Sequence, residues 1–402
     1  NRKTDYAGTV YFDSNASDYT FVPTNYKFTT SGASADDGIH TFSLSASTYV
    51  VFNSTGLVYI RAYDGAIEGK QENIRIVGKP LSDITQPSAN FYKTLTSISG
   101  TAAVQHTSAT LTQVDIQIKN VTNTQWWNGS SWAGGEDWIT VLSTSNVYNA
   151  NWTYTNVPTW ADDTKYRIDS RSYDNLYGTQ TATGYKEFIC DKTEPNSTVS
   201  NPSHGSKVNS ISAINGGCSD PSTNEEPSYV SYVEVQIMDY TDTKYWSVIG
   251  SSWSSTPVWL GGDTVLETGS PISNWQVDPD TVSVIAWQDG HTYKIYSKAV
   301  DNSNPQNVET TYGLAQITYD TTTPSGEVVI PADNGYYNSL PTISGTAQDT
   351  YGILKVEVLI KKDEGGVISY WDRDNQQGGG WVSAEVWNLA SGSSVDNSIV
   401  NW

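Results

Sequence analysis

Two short segments of this chain recur, and the recurrence limits what it can fold into. YRIDSRSYD, from Tyr166 to Asp174, returns as YKIYSKAVD, from Tyr293 to Asp301. FICDKTEP, from Phe188 to Pro195, returns as ITYDTTTP, from Ile317 to Pro324. In the first pair, Tyr, Ile and small residues alternate with Arg, Lys, Asp, Tyr or Val. A period of two predicts a strand with one buried and one wet face. The second pair is strand-like up to Asp-x-Thr-x-Pro. Proline cannot donate to a sheet ladder, so the strand stops there.

Comparing the chain with itself extends the pattern. SISGTA near Ile98, AINGGCSD near Ile214 and TISGTAQD near Ile343 align, as do VDIQIKN, VEVQIMD and VEVLIKK. Tryptophan marks columns: Trp127, Trp246 and Trp371; Trp132, Trp253 and Trp381; Trp138, Trp259 and Trp387; Trp152, Trp275 and Trp402. Trp160 pairs with Trp287, and only Trp126 stands outside. Each repeat has the length of a domain, not of a solenoid unit. The 402 residues exceed what one hydrophobic core supports. The reading is therefore a front region at 1–83 and repeats at 84–191, 192–320 and 321–402. In the front region GTVYF, YKFTTSG, IHTFSLSA, TYVVF, LVYIRAYDG and ENIRIVG read as short strands. GKPLSDITQPSAN, rich in Pro, Gly and polar residues, reads as a linker.

Helical spacing is scarce throughout, so the chain is expected to be all-β, with no helix longer than about two turns. No apolar run has membrane-spanning length, and no membrane insertion is expected in this segment. The formal charge of −21, from 22 Lys and Arg against 43 Asp and Glu, argues against nucleic acid and anionic lipid as partners. It suits an acidic extracellular surface or cation binding.

Asp163 and Asp289 precede Tyr166 and Tyr293 by a short turn. This arrangement resembles the tyrosine corner before strand F of an immunoglobulin-like sandwich, with Ile where antibody domains carry Cys. On that resemblance the two recurring segments are strands F and G. DYAGTVYF, YKFTTSGASADDGIHTFSL and GLVYIRAYDG resemble the immunoglobulin-like repeats of large bacterial extracellular proteins. The pattern I-S-G-T-A, V-E-V-x-I, Y-W, Y-x-I-x-S-x-A-x-D and D-x-T-x-P is similar to another such tandem repeat. Asp174-Asn-Leu-Tyr-Gly178 and Asp301-Asn-Ser-Asn-Pro305 depart from the D-x-x-G-N turn of that family. The resemblance implies tandem immunoglobulin-like β-sandwiches, the first and last incomplete. Its implied role is a non-catalytic structural segment of an extracellular or cell-surface fibre, stalk or adhesin. Copies of the chain, or further domains of one long chain, would be its partners.

The runner-up role is a carbohydrate-binding accessory region of a secreted polysaccharide-active enzyme, contacting surface glycans. Aromatic faces stack on sugars, and Tyr245, Trp246 and Trp253 lie among polar residues that read as loop tips. The plainer reading puts the Trp columns in the sandwich cores. Catalysis has little support. His40, His106, His204 and His291 have no metal-ligand spacing to Cys or to one another. Asp36-Asp37, Asp162-Asp163 and Glu225-Glu226 sit beside turn formers, where such side chains cap turns.

The immunoglobulin-like reading also places acids at sandwich ends. Asp191, Asp220 and Asp301, with Glu225 and Glu226 nearby, are candidate ligands for Ca²⁺, and Asp320 and Asp349 repeat the arrangement. The alternative is that these residues only cap turns. Cys190 ends one strand G and Cys218 the next strand B, so a disulfide between them is expected. Finally, the third repeat stops at the Trp402 column, before its F and G strands, and the front region also looks cut. The expectation is an excerpt of a longer chain or, less favoured, a subunit completed by strands from its neighbours.

Overall fold

The computed structural model describes residues 9–14, 16, 19–22, 25–27, 49–52, 56–63, 68–76, 78–176, 178–180, 184–223, 225–375, 378–390 and 397–402. His40, Asp36-Asp37 and the segment IHTFSLSA lie outside the described residues. The chain divides into two compact units, Asn1–Asp191 and Lys192–Trp402.

The front of the first unit holds β1 (Thr9–Ser14), β2 (Tyr19–Val22), β3 (Asn25–Lys27), β4 (Tyr49–Phe52), β5 (Gly56–Tyr63) and β6 (Glu68–Ile76). They form a sheet in the order β3-β1-β5-β6 and a β2-β4 pair. Arg61 on β5 bonds Asp13 on β1, directly across the ladder.

The first repeat begins with β7 (Leu81–Gln86), β8 (Phe91–Tyr92), β9 (Ile98–Ala103) and β10 (Leu111–Asn120). The hairpin β11 (Gln125–Trp127) and β12 (Trp132–Ala133) leads to β13 (Ile139–Val147) and β14 (Asn149–Tyr154). The long β15 (Thr164–Asp174), β16 (Gly178–Thr179) and β17 (Tyr185–Cys190) close it. One sheet runs β14-β9-β7 and the other β12-β11-β10-β15-β17-β8, with β13 on β10 and β16 on β15. The two sheets enclose one core of Ile, Val, Leu and aromatic side chains, as in an immunoglobulin-like sandwich. The segment expected to be a linker is in part the first strand. Leu81–Gln86 pairs with β9 and buries Ile84, ending before Pro87. An edge strand tolerates a proline at its end, so proline content misled there.

The second unit repeats the plan. Its first sandwich contains β18 (Asn196–Asn201), β19 (Lys207–Val208), β20 (Asn215–Ser219), β21 (Val230–Asp239), β22 (Lys244–Ser247) and β23 (Ser252–Ser254). It continues with β24 (Val265–Gly269), β25 (Ile272–Val277), β26 (Thr292–Asp301) and β27 (Gly313–Tyr319). The sheets run β18-β20-β25-β24 and β19-β27-β26-β21-β22-β23. A five-residue helix, Pro279–Ser283, is the α-helix found among the described residues, in keeping with the all-β expectation.

Residues 321–402 supply β28 (Ser325–Ile330), β29 (Ser344–Ile353), β30 (Glu357–Leu359), β31 (Lys361–Glu364), β32 (Val367–Asp372), β33 (Gly380–Val382), β34 (Trp387–Leu389) and β35 (Asn397–Asn401). Their sheets are β28-β29-β35, β30-β34 and β31-β32-β33. The buried hydrophobic cluster here is small: Ala347, Ile353 and Val400, with Val356 and Trp402 packed against it.

Candidate functional site

The repeated residues assemble four devices. The first is the tyrosine corner. The Tyr166 hydroxyl accepts a hydrogen bond from the Ala161 amide at 2.9 Å, and Tyr293 accepts one from Gln288 at 2.8 Å. Trp160 packs edge-on to Tyr166 at 4.8 Å, and Trp287 to Tyr293 at 4.7 Å. Burial holds the Tyr166 phenol above its usual pKa and pushes Tyr293 up to about 12. The residues read as strand F are therefore β15 and β26, each in the middle of its sheet.

The second device pairs a glycine with a tryptophan directly across the ladder, Gly100 with Trp152 and Gly216 with Trp275. The indole lies over the glycine, so a Cβ on Gly216 would sit 2.7 Å from the Trp275 ring. The ring N–H donates to Thr101 O at 3.1 Å in the first repeat and to Gly217 O at 3.2 Å in the second. Gly345 and Trp402 make the same backbone exchange. Glycine is required because only its missing side chain leaves room for the ring. Both columns were visible in the sequence, but their pairing was not.

The third device sits on the outer sheet face. Arg171 on β15 bonds Asp115 at 3.1 Å and lies 3.9 Å from the centre of the Trp138 ring. Lys298 on β26 pairs with Glu234 at 2.5 Å and lies 4.3 Å from Trp259. A cation over an indole is favourable and covers that ring face. The fourth is a polar clamp. Gln180 Oε1 accepts from the amides of Ser82 and Ser172, joining β7 to β15. Glu309 accepts from the amides of Ser197 and Ala299, joining β18 to β26. These clamps went unread in the sequence because Gln and Glu share no motif there.

The expected contact residues divide. Trp246 is 1% exposed, so it is a core side chain and not an exposed platform. It lies opposite Trp253 on the β22–β23 hairpin, ring centres 5.4 Å apart. Trp253 is half-buried, stacked on Tyr293 at 5.7 Å, and Tyr245 is half-buried.

The disulfide expected would join cysteines of the two compact units, Cys190 of the first and Cys218 of the second. Each packs into the core of its own sandwich. Burial, with lesser contributions from Glu267 and Glu309, pushes the Cys218 thiol up to about 11.

The acids expected to bind calcium make local contacts. Asp301 is buried, and its oxygens accept from Ser303 and from the amide and side chain of Asn307, closing the turn after β26. Asp220 accepts from the Ser228 hydroxyl at 3.1 Å. Asp191 is buried at the end of the first unit, its amide bonded to Tyr92 O. Asp320 and Asp349 come together through Thr322, whose hydroxyl reaches both and whose amide bonds Asp320. Asp289 bonds the Thr321 amide at 2.6 Å and is thereby held below the usual carboxylate range.

Two further clusters are local. Asp162 accepts from the Asp163 amide, and Glu226 from the Tyr229 hydroxyl. His291 Nδ1 lies 2.8 Å from Asp239 Oδ2, and Asp242 completes a group within 4.8 Å. Asp239 also caps the β21–β22 turn through the amides of Thr241 and Asp242, and Asp242 pairs with Lys244. The sequence showed no metal spacing for His291 because its carboxylate partners come from another strand.

No protein-family model matches the chain, and no curated protein matches it. Among solved structures, it is similar to the fibronectin(III)-like modules of Clostridium thermocellum CbhA, with 11% identity, 60% of this chain and 94% of that one covered, and a TM-score of 0.27. The FN1–FN3 domains of chicken CNTN1 are similar at 10% identity, covering 78% of this chain and 91% of that one, with a TM-score of 0.28. CBD12 from CALX1.2 is similar at 7% identity over 55% of this chain and 81% of that one, with a TM-score of 0.22. The strand order of the chain itself makes it an array of immunoglobulin-like β-sandwiches, and no helix among the described residues is long and apolar enough to cross a membrane.

Proposed function

We propose that the chain is a non-catalytic structural segment of an extracellular fibre, stalk or surface adhesin. One observation supports this reading above others: in the two sandwiches that contain β15 and β26, the repeated aromatic residues pack against their own sandwich. Trp152 and Trp275 cover glycines, Trp160 and Trp287 lock the tyrosine corners, and Arg171 and Lys298 cover one face of Trp138 and Trp259. A sugar platform needs open ring faces, so the carbohydrate-binding reading is the weaker one. Further domains of the same kind are the natural neighbours of such modules. Calcium belongs to the proposal through Asp320 and Asp349, which share the Thr322 hydroxyl.

Acrylamide quenching of tryptophan fluorescence, with and without soluble polysaccharides, tests the role. The expected result is a largely protected signal that polysaccharide leaves unchanged. Saturable protection by a polysaccharide would overturn the structural reading in favour of the glycan-binding one. A melting temperature identical in chelator and in millimolar calcium would remove the calcium part alone.

A further inference from the structure

The turns β10–β11 and β21–β22 are built alike but carry different charges. The ladder pairs Asn120 with Tyr166 in the first repeat and Asp239 with Tyr293 in the second. In the first, Asn120 Oδ1 accepts from the Asn123 amide at 3.0 Å, and Thr122 Oγ1 from the Lys165 amide at 3.0 Å. In the second, Asp239 Oδ1 accepts from the Asp242 amide at 3.1 Å, and Thr241 Oγ1 from the Thr292 amide at 3.0 Å. A neutral amide oxygen is therefore enough to close this turn. His291 stands two residues before Tyr293, where the first repeat has Thr164. The second repeat adds two carboxylates and an imidazole that the turn does not require.

Those added groups converge. Asp239 Oδ2, the oxygen that the turn leaves over, lies 2.8 Å from His291 Nδ1. One ligand atom each from Asp239, Asp242 and His291 lies within 4.8 Å of the other two. The Asp239 side chain is 1% exposed, whereas Asp242 is exposed and opens the group to solvent. Two carboxylates this close disfavour each other's charge unless a cation joins them. The cation beside Asp242 is Lys244 at 3.1 Å, an exposed pair of the kind that gives way at little cost. The frame beneath is fixed, because the Tyr240 amide donates to Thr292 O at 2.9 Å.

We propose that Asp239, Asp242 and His291 bind a divalent transition ion of the zinc class, with water completing its coordination. Zinc takes imidazole nitrogen and carboxylate oxygen at about 2.0–2.2 Å, so ligand atoms on one ion lie about 3–4 Å apart. Small side-chain rotations bring the three groups to that spacing. The imidazole selects against calcium, which takes oxygen ligands. The ion ties the end of β21 to the start of β26. The first repeat, with Asn120, Asn123 and Thr164 at the same positions, does not bind it.

The full chain, stripped with chelator, is titrated with Zn²⁺ by calorimetry. Beside it runs the variant Asp239→Asn, Asp242→Asn, His291→Thr, which carries the first repeat's residues at all three positions. Its turn acceptors are kept, and equal melting temperatures without metal check that it folds. The expected result is one saturable site that the variant weakens at least about tenfold, since losing even a ligand's hydrogen-bond partner costs about that much. Zn²⁺ should raise the melting temperature of the chain and not of the variant. Millimolar Ca²⁺ should not displace the zinc. If the triple variant does not fold, His291→Gln alone replaces it, with the same loss expected. Equal zinc binding by chain and variant, an adventitious ion only, overturns the proposal. So does the absence of a saturable site, or displacement of the zinc by calcium.

Discussion

Residues 192–320 and 321–402 share the V-E-V strand and four tryptophan columns in the same order, yet bury them to different extents. In the first, Trp246 and Trp275 are almost wholly enclosed, together with Val233, Val235 and Ile237. In the second, Trp381 is 44% exposed, Trp402 is half-buried, and Val328, Leu354, Val367 and Ile399 face solvent. Local structure is not the cause, since the cross-strand Trp pair forms in both, Trp246 with Trp253 and Trp371 with Trp381. The difference lies in β26 and β27, which have no counterpart among the described residues of 321–402. They contribute Tyr293, Ile295, Ala299 and Ile317 to the inner face, the Lys298 cation to the outer face, and the segment that carries Glu309. A hairpin and a Gly–Trp pair form from neighbouring strands alone, but a closed core needs the whole second sheet.

The largest test of this contrast is Trp275→Ala against Trp402→Ala. Emptying the enclosed site should cost about 3–5 kcal/mol, and the open site clearly less, measured by denaturant unfolding. Equal losses would mean that the two sites are equally packed. Gly216→Ala comes next. Its new Cβ would press on the Trp275 ring and the Thr198 carbonyl, for an expected loss of about 1–3 kcal/mol from overpacking.

Glu309→Ala leaves the Ser197 and Ala299 amides without their acceptor, which should cost about 1–3 kcal/mol. Glu309→Gln should recover only part of that, because Glu309 accepts the two amides on different oxygens and glutamine offers one, whereas Gln180 takes both of its amides on Oε1. If Gln is as damaging as Ala, the two clamps are not equivalent.

Alkaline pH sharpens the comparison differently. Folding raises the Cys218 thiol from 9.0 to about 11 and the Tyr293 phenol from 10.0 to about 12. Between those limits the folded state binds more protons than the unfolded state, so stability falls as pH rises from about 9 to about 12. Calorimetry across that range should show the loss, and Cys218→Ser with Tyr293→Phe should flatten it. Smallest of all, Lys298→Met removes a half-buried ion pair and a cation–ring contact, with an expected change of about 1 kcal/mol.

A thiol count on unreduced, denatured protein tests the disulfide expected between Cys190 and Cys218. With two cysteines in the chain, no reactive thiol is the expected result, and two would end the idea.

The sequence by itself determined the all-β class, the strands β15 and β26, and the tyrosine corners that precede them. These are carried by period two and by contacts between residues five apart, as in Ala161 to Tyr166. Only the tertiary structure decided which aromatics are enclosed, that Leu81–Gln86 is a strand, and that Gly216 faces Trp275. It also decided that Cys190 and Cys218 each pack into the core of their own sandwich, and that Arg171 and Lys298 lie over tryptophans. The physical reason is distance along the chain. A strand's alternation is written in its own residues, but burial is set by strands dozens of residues away, and register decides which side chains they bring together.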